Sequence, residues 1–246
     1  MQRVAVTRQA RAALLWSIAL TLALPRVPVL NVLGVPLLWL STVAHELGHG
    51  LTALALGGTF ERFVIRGDGS GTAFTAAPVG DLTGALVCAG GLVGPALIAG
   101  LCFVLARRPG AARLCLALFG AALVAAAVLV ADPGLTQLFL GGTGGVLLLA
   151  GGLLGPAWAQ GTLVFLAVQL ALSVFTRGDY LFTEVAHSSA GVMPSDVAVM
   201  ASHLGGPFWV WGLACGLVSL LVLVGGLAWY LRGDTQVALH DLRARR

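Results

Sequence analysis

Residues 42–50 read Thr-Val-Ala-His-Glu-Leu-Gly-His-Gly and carry a His-Glu-x-x-His pattern inside an apolar run. On a helix, His45 and His49 project from one face about one turn apart, so both imidazoles can reach a single Zn²⁺. Glu46 is offset by about 100° and can reach a metal-bound water without ligating the metal. The chain holds only five His and three Glu, so a chance match is expected at roughly the one-in-a-thousand level. The bland alternative is two buried histidines bonded to nearby carbonyls, with Glu46 paired to an Arg. Ionisable groups near mid-membrane cost roughly 3 kcal/mol each and ordinarily mark a site or pathway. Three of them in five positions have no packing reason to collect there.

The elements that must position these residues are membrane helices. The 246 residues are 58% hydrophobic and 10% charged, with 34 glycines, against roughly 25% charged in soluble domains. With a mean hydropathy of +0.95, several stretches need lipid as solvent. All 14 basic residues are Arg, placed in the gaps between apolar runs, which reads as topology charge and excludes a nucleic-acid surface. Cys88, Cys102, Cys115 and Cys215 sit within apolar runs without paired spacing, so they read as packing residues rather than disulfides or thiolate ligands. Apolar runs fall near 12–33, 36–57, 81–106, 111–131, 135–156, 157–176 and 207–231. The pattern predicts an all-α polytopic membrane protein with six or seven transmembrane helices. The first run, preceded by Arg3, Arg8 and Arg11, reads as an uncleaved span. Pro25, Arg26 and Pro28 interrupt it, and 141–145, rich in Gly, interrupts the fifth, so either is expected to be partial or re-entrant.

Two internal segments are polar enough to lie outside lipid. Residues 57–78 open on Gly57-Gly58, a helix stop, and read as a β-hairpin with its turn around Asp68 to Gly71. Residues 177–206 hold Asp179, Glu184, His187, Asp196 and His203, with Ser195 as the N-cap of a short helix from Asp196 to Leu204 that Gly205-Gly206-Pro207 ends. The octapeptide at 89–96 is echoed at 150–157 with one change. Both copies carry Gly pairs four apart, suited to close helix approach, and the echo extends no further.

The His-Glu-Leu-Gly-His-Gly helix, followed by Gly-Gly and a hairpin, resembles the site-2 protease family of intramembrane zinc metallopeptidases. That resemblance implies a zinc held by the two histidines and a distant Asp, with the Glu activating water for peptide hydrolysis in the membrane. The Asn-Pro-Asp-Gly or Leu-Asp-Gly motif of the best-known branch is absent; the one Asp-Gly pair is Asp68-Gly69, in the hairpin turn. Arg-Gly-Asp-Tyr-Leu-Phe at 177–182 and Pro-Ser-Asp-Val-Ala at 194–198 resemble instead the Asp and Ser-Asp motifs of the family's bacterial B branch. The likeness is closest over 37–75 and looser over 177–211.

A carboxylate suits the third position, since two neutral imidazoles, one carboxylate and a hydroxide leave the zinc site neutral in a low-dielectric setting. Asp196 leads because it opens a helix beside a loop able to fold back over His45 and His49. Asp179 is the alternative third ligand, with His187 after it. Without a metal, Asp196 is simply the negative charge favoured at a helix N-terminus, and Asp179 a surface partner of Arg177. His203 follows Asp196 on a similar face and serves packing or a pocket equally well.

The expected protein is a single transmembrane peptidase domain over 1–246, with the hairpin at about 58–78 and no separate soluble domain. It binds Zn²⁺, uses Glu46 to activate a zinc-bound water, and acts on membrane-protein or membrane-peptide substrates in a bacterial plasma membrane. No nucleic acid is involved. The hairpin is expected to hold unwound substrate by β-augmentation, a reading that a proline at Val64 or Phe74 probes. A transporter or channel, or a non-catalytic relative that binds membrane partners, stands as the alternative. With seven spans, six Arg fall on the hairpin side and eight on the other, which does not set orientation.

Overall fold

The computed structural model describes residues 3–23, 28–78, 80–176 and 181–244. Its elements run α1 (Arg3–Ala23), α2 (Pro28–Ala55), β1 (Thr59–Ile65), β2 (Gly71–Ala76), α3 (Asp81–Ala106), α4 (Pro109–Leu129), α5 (Leu135–Leu153), α6 (Pro156–Thr176), β3 (Val185–Ser188), β4 (Gly191–Pro194), α7 (Asp196–Leu204) and α8 (Phe208–Ala244). This is an all-α polytopic membrane protein. Among the described residues, α3, α4, α5, α6 and the part of α8 up to Arg232 are long and apolar enough to cross a bilayer. The other two apolar runs fold as α1 and α2. Their boundary differs from the expected one: α1 ends at Ala23, and the stretch from Pro28 belongs to the helix bearing His45 and His49. Proline suits a first helical turn, where its missing N–H is no loss, so Pro28 starts a helix where a break was expected.

The fifth run is one continuous helix, not a re-entrant segment. Two of its glycines, Gly144 and Gly151, lie at the crossing with α4. A β-carbon on Gly144 would lie 2.8 Å from the Gly120 carbonyl oxygen, and one on Gly120 would lie 2.5 Å from that of Gly144. Backbones that close need small residues at the crossing, the usual solution where lipid removes the hydrophobic drive between helices. The Arg113 guanidinium then caps the α5 C-terminus through the carbonyls of Gly151 (3.0 Å) and Gly152 (2.5 Å).

Helix α3 stands at the centre, packed on α2, α6, α7 and α8. Its first echo segment is the surface laid against α2. A β-carbon on Gly48 would collide with the Gly90 carbonyl, one on Gly91 with the His49 ring, and one on Gly94 would lie 3.0 Å from the Ala44 carbonyl oxygen. The second copy of the echo closes α5 and opens α6, where Gly155 meets open space. In that copy a β-carbon on Gly151 would lie 2.7 Å from the Ala117 nitrogen and the Arg113 carbonyl oxygen of α4, so each copy sets a glycine at a helix crossing, with a different partner helix.

The first hairpin folds back along α2. β1 and β2 pair antiparallel, Phe63 opposite Ala73 and Ile65 opposite Gly71, and the Phe60 ring fills the space left by Gly50. The outer edge of β1 is taken: Phe63 donates to the Val130 carbonyl at 2.8 Å and accepts from Asp132 N–H at 2.9 Å. Arg62 adds a 2.8 Å ion pair with Asp132, and Thr136 Oγ1 accepts from Ile65 N–H at 2.8 Å. No described strand pairs with the other edge of β2.

Candidate metal centre

Two elements converge on the centre. Helix α2 presents His45 and Glu46, both nearly fully buried, and His49. Helix α7 presents Asp196 at its first position. Ser195 caps α7 as expected: its hydroxyl accepts from Ala198 N–H at 3.2 Å and donates to the Thr183 carbonyl at 2.5 Å. The far end of α7 is held by His203, whose Nδ1 stands 3.1 Å from Asp81 Oδ1 on α3. Between the ends, Val197 and Met200 pack with Cys88, Leu92, Leu181 and Cys215 in a buried apolar cluster. Asp196 is thus carried on a short helix fixed at both ends and along one side.

His45 Nε2 lies 3.0 Å and His49 Nε2 3.3 Å from Asp196 Oδ2, and the two Nε2 atoms are 3.1 Å apart. The rings meet edge to face at 88°. In a tetrahedral zinc site with bonds near 2.0–2.1 Å, neighbouring donors stand roughly 3.3 Å apart. Two imidazole nitrogens and one carboxylate oxygen on that spacing fit zinc in both chemistry and geometry. The outer nitrogen of His49 is engaged as well: Nδ1–H donates to the Val87 carbonyl on α3 at 2.8 Å, which leaves Nε2 with its lone pair toward the cluster.

Of the residues singled out from sequence, His45, His49 and Asp196 come together. Asp179 lies outside the described residues. His187 stands exposed on β3, outside the cluster. The second hairpin, β3–β4, was not foreseen in 177–206; Val-Ala-His-Ser and Gly-Val-Met-Pro flanking a Ser-Ala turn were its signal, too short to be read as strands.

The turn of the first hairpin also reaches the centre. Thr42, fully buried one turn before Glu46, donates from Oγ1 to the Gly69 carbonyl at 2.6 Å. Gly71 lies against the Glu46 carboxylate. Asp68 sits at the turn's outer side, where bonds from the Ser70 N–H and hydroxyl, and then from Ser189 N–H, hold its carboxyl well below the usual range. The glycine density of 67–71 was the signal for this approach, although it gives no clue to the partner.

The register also says which hairpin groups face outward. Phe63 turns its N–H and C=O away from β2, so the Phe63–Ala73 pair is of the non-hydrogen-bonded kind, and Ala73 turns its own N–H and C=O to the open edge of β2. Val64 and Phe74 fall in the alternate pairs, bonded within the hairpin. They are therefore not the positions that test an added strand.

No curated protein and no solved structure matches the chain. Residues 12–226 match the Peptidase M50B-like family. That stretch covers most of the chain, including α2 with its His-Glu-x-x-His, the first hairpin and α7, so the protein belongs to this site-2 protease family of membrane peptidases.

Proposed function

We propose that the protein is a zinc-dependent intramembrane endopeptidase, one transmembrane peptidase domain that hydrolyses peptide bonds of membrane-embedded substrates at a bacterial plasma membrane. The observation that carries this reading is the triangle of His45 Nε2, His49 Nε2 and Asp196 Oδ2, about 3 Å on each side, next to Glu46. These three residues would hold the Zn²⁺. Bound there, the ion acts as a Lewis acid and makes water acidic enough to be a nucleophile near neutral pH. Glu46 takes the proton from the attacking water and returns it to the departing amine. Val87 fixes the His49 tautomer, and Gly91 of α3 lies against the same ring, which keeps His49 in one orientation.

A substrate helix hides its scissile carbonyl in its own hydrogen bonds, so cleavage needs an unwound segment with new partners in a dry setting. The open edge of β2 offers the Ala73 N–H and C=O for that purpose, while the closed edge of β1 leaves β2 as the side on which a strand can add. Measuring zinc and cleavage on the purified protein tests the reading. One zinc per chain and cleavage that disappears in Glu46→Gln are expected. Protein without metal, or a fully active Glu46→Gln variant, would sink it.

A further inference from the structure

Gly71 is a glycine for an unusual reason. Its backbone is not in the left-handed region, so other residues could adopt its conformation. The constraint is space: a β-carbon there would lie 2.5 Å from Glu46 Oε1, 2.6 Å from Thr42 Cγ2 and 2.7 Å from Glu46 Cγ. Real β-carbons do not come that close. Gly67, four residues earlier in the same connection, has nothing within 4 Å of such an atom. What sets residue 71 is therefore its contact with the carboxyl-bearing side chain of α2.

The backbone at Gly71 is also held from several directions. Behind it, Gly69 takes the Thr42 hydroxyl at 2.6 Å in a buried bond, and the Leu38 side chain seats the same residue, whose φ of 86° suits glycine. Across the ladder, Gly71 pairs with Ile65, whose N–H is fixed by Thr136 on α5. The strand end is thus a rigid surface laid on a side chain with three rotatable bonds. A general base acts only when its oxygen is held within hydrogen-bond reach of the proton it takes, and displacement by about 1 Å can cost about 100-fold in rate.

We propose that Gly71, held by the Thr42–Gly69 bond, is a positioning residue for Glu46: the start of β2 is a backstop that limits where the carboxylate stands. This rests on the peptidase reading above and goes beyond it. The hairpin has a task in the turnover step in addition to any contact with substrate. Side-chain volume at 71 acts on Glu46 and not on His45, His49 or Asp196, so metal binding and catalysis separate.

The test uses the full chain in phospholipid vesicles with a quenched-fluorescent peptide carrying one apolar span. Gly71→Ala should lower kcat by about 10- to 100-fold with KM and zinc content unchanged, while Gly67→Ala behaves as wild type. Should Gly71→Ala fail to assemble, Thr42→Val carries the test, since it loses the Gly69 anchor while keeping its volume; kcat should fall with KM and zinc unchanged. Wild-type kcat in Gly71→Ala or in Thr42→Val, or a raised KM at unchanged kcat, would overturn the proposal. Glu46→Gln in the same assay separates the two failures. If wild type cleaves, Glu46→Gln does not and Gly71→Ala is fully active, only this inference falls; if wild type does not cleave, or Glu46→Gln does, the peptidase reading falls with it.

Discussion

The carboxylate of Asp68 accepts the backbone N–H of Ser189, 121 residues further along, at 2.8 Å. It joins the tip of the first hairpin, which lies on α2, to the tip of the second, which leads through Ser195 into Asp196. The two chain segments that carry the candidate ligands are therefore tied to each other away from the centre itself.

That tie should depend on pH in a definite direction. The Asp68 carboxyl is lowered in the folded protein, so its contribution is complete above the unfolded value of about 4 and is lost as pH falls through the folded value below it. Asp68 is almost fully exposed, which keeps the effect small. Wild type should melt slightly above Asp68→Asn at pH 7, and the gap should begin to narrow as pH falls below about 4. A gap that stays constant down to pH 3 would mean the charge is not what Ser189 responds to.

Zinc content should sort the candidate ligands. His45→Ala and His49→Ala should empty the site, Glu46→Gln should leave it filled, and Asp196→Ala should weaken zinc by more than the 10- to 100-fold typical of outer partners. Asp179→Ala should do less than Asp196→Ala. Metal analysis after dialysis against a graded chelator gives the order, and the reverse order would reassign the third ligand while leaving the two histidines in place.

Ala73→Pro isolates an added strand better than substitution at Val64 or Phe74. Its N–H faces the open edge, where proline is tolerated without breaking the hairpin, so cleavage of a membrane-embedded peptide should fall several-fold with zinc retained. Phe74→Pro, which removes a bond inside the hairpin, should also lower thermal stability, and Phe74→Ala should be mild. Full cleavage by Ala73→Pro would show that extended substrate is held elsewhere.

The α4–α5 crossing predicts a contrast between two glycines of α5 and its neighbour. Gly120→Val should destabilise by at least the roughly 1–3 kcal/mol of an overpacked core, because its β-carbon meets backbone. Gly142→Val, facing open space, should be neutral. Thermal melts in detergent decide it, and equal effects would mean that the crossing is not set by Gly120.

Much of this was legible in the sequence because single residues force it. The spacing of His45 and His49 sets both on one face of α2, Ser195-Asp196 before an apolar run names a capped helix, and Gly57-Gly58 ends α2 where expected. What sequence could not supply was pairing at a distance. The glycines of 141–145 looked like an interruption because the one close contact among them, Gly144 against Gly120, is unknown until α4 and α5 meet. The β3–β4 hairpin was missed because four-residue strands have almost no periodicity to read. Gly71 looked like one of several turn glycines, and only its position against Glu46 separates it from Gly67.

One consequence of the ligand arrangement concerns biogenesis. His45 and His49 are made early, while Asp196 follows only after α3, α4, α5 and α6. The Val87 carbonyl that orients His49 also comes from a later helix than its partner. During synthesis, then, His45 and His49 are made without Asp196, and the three-residue cluster cannot assemble until most of the chain exists.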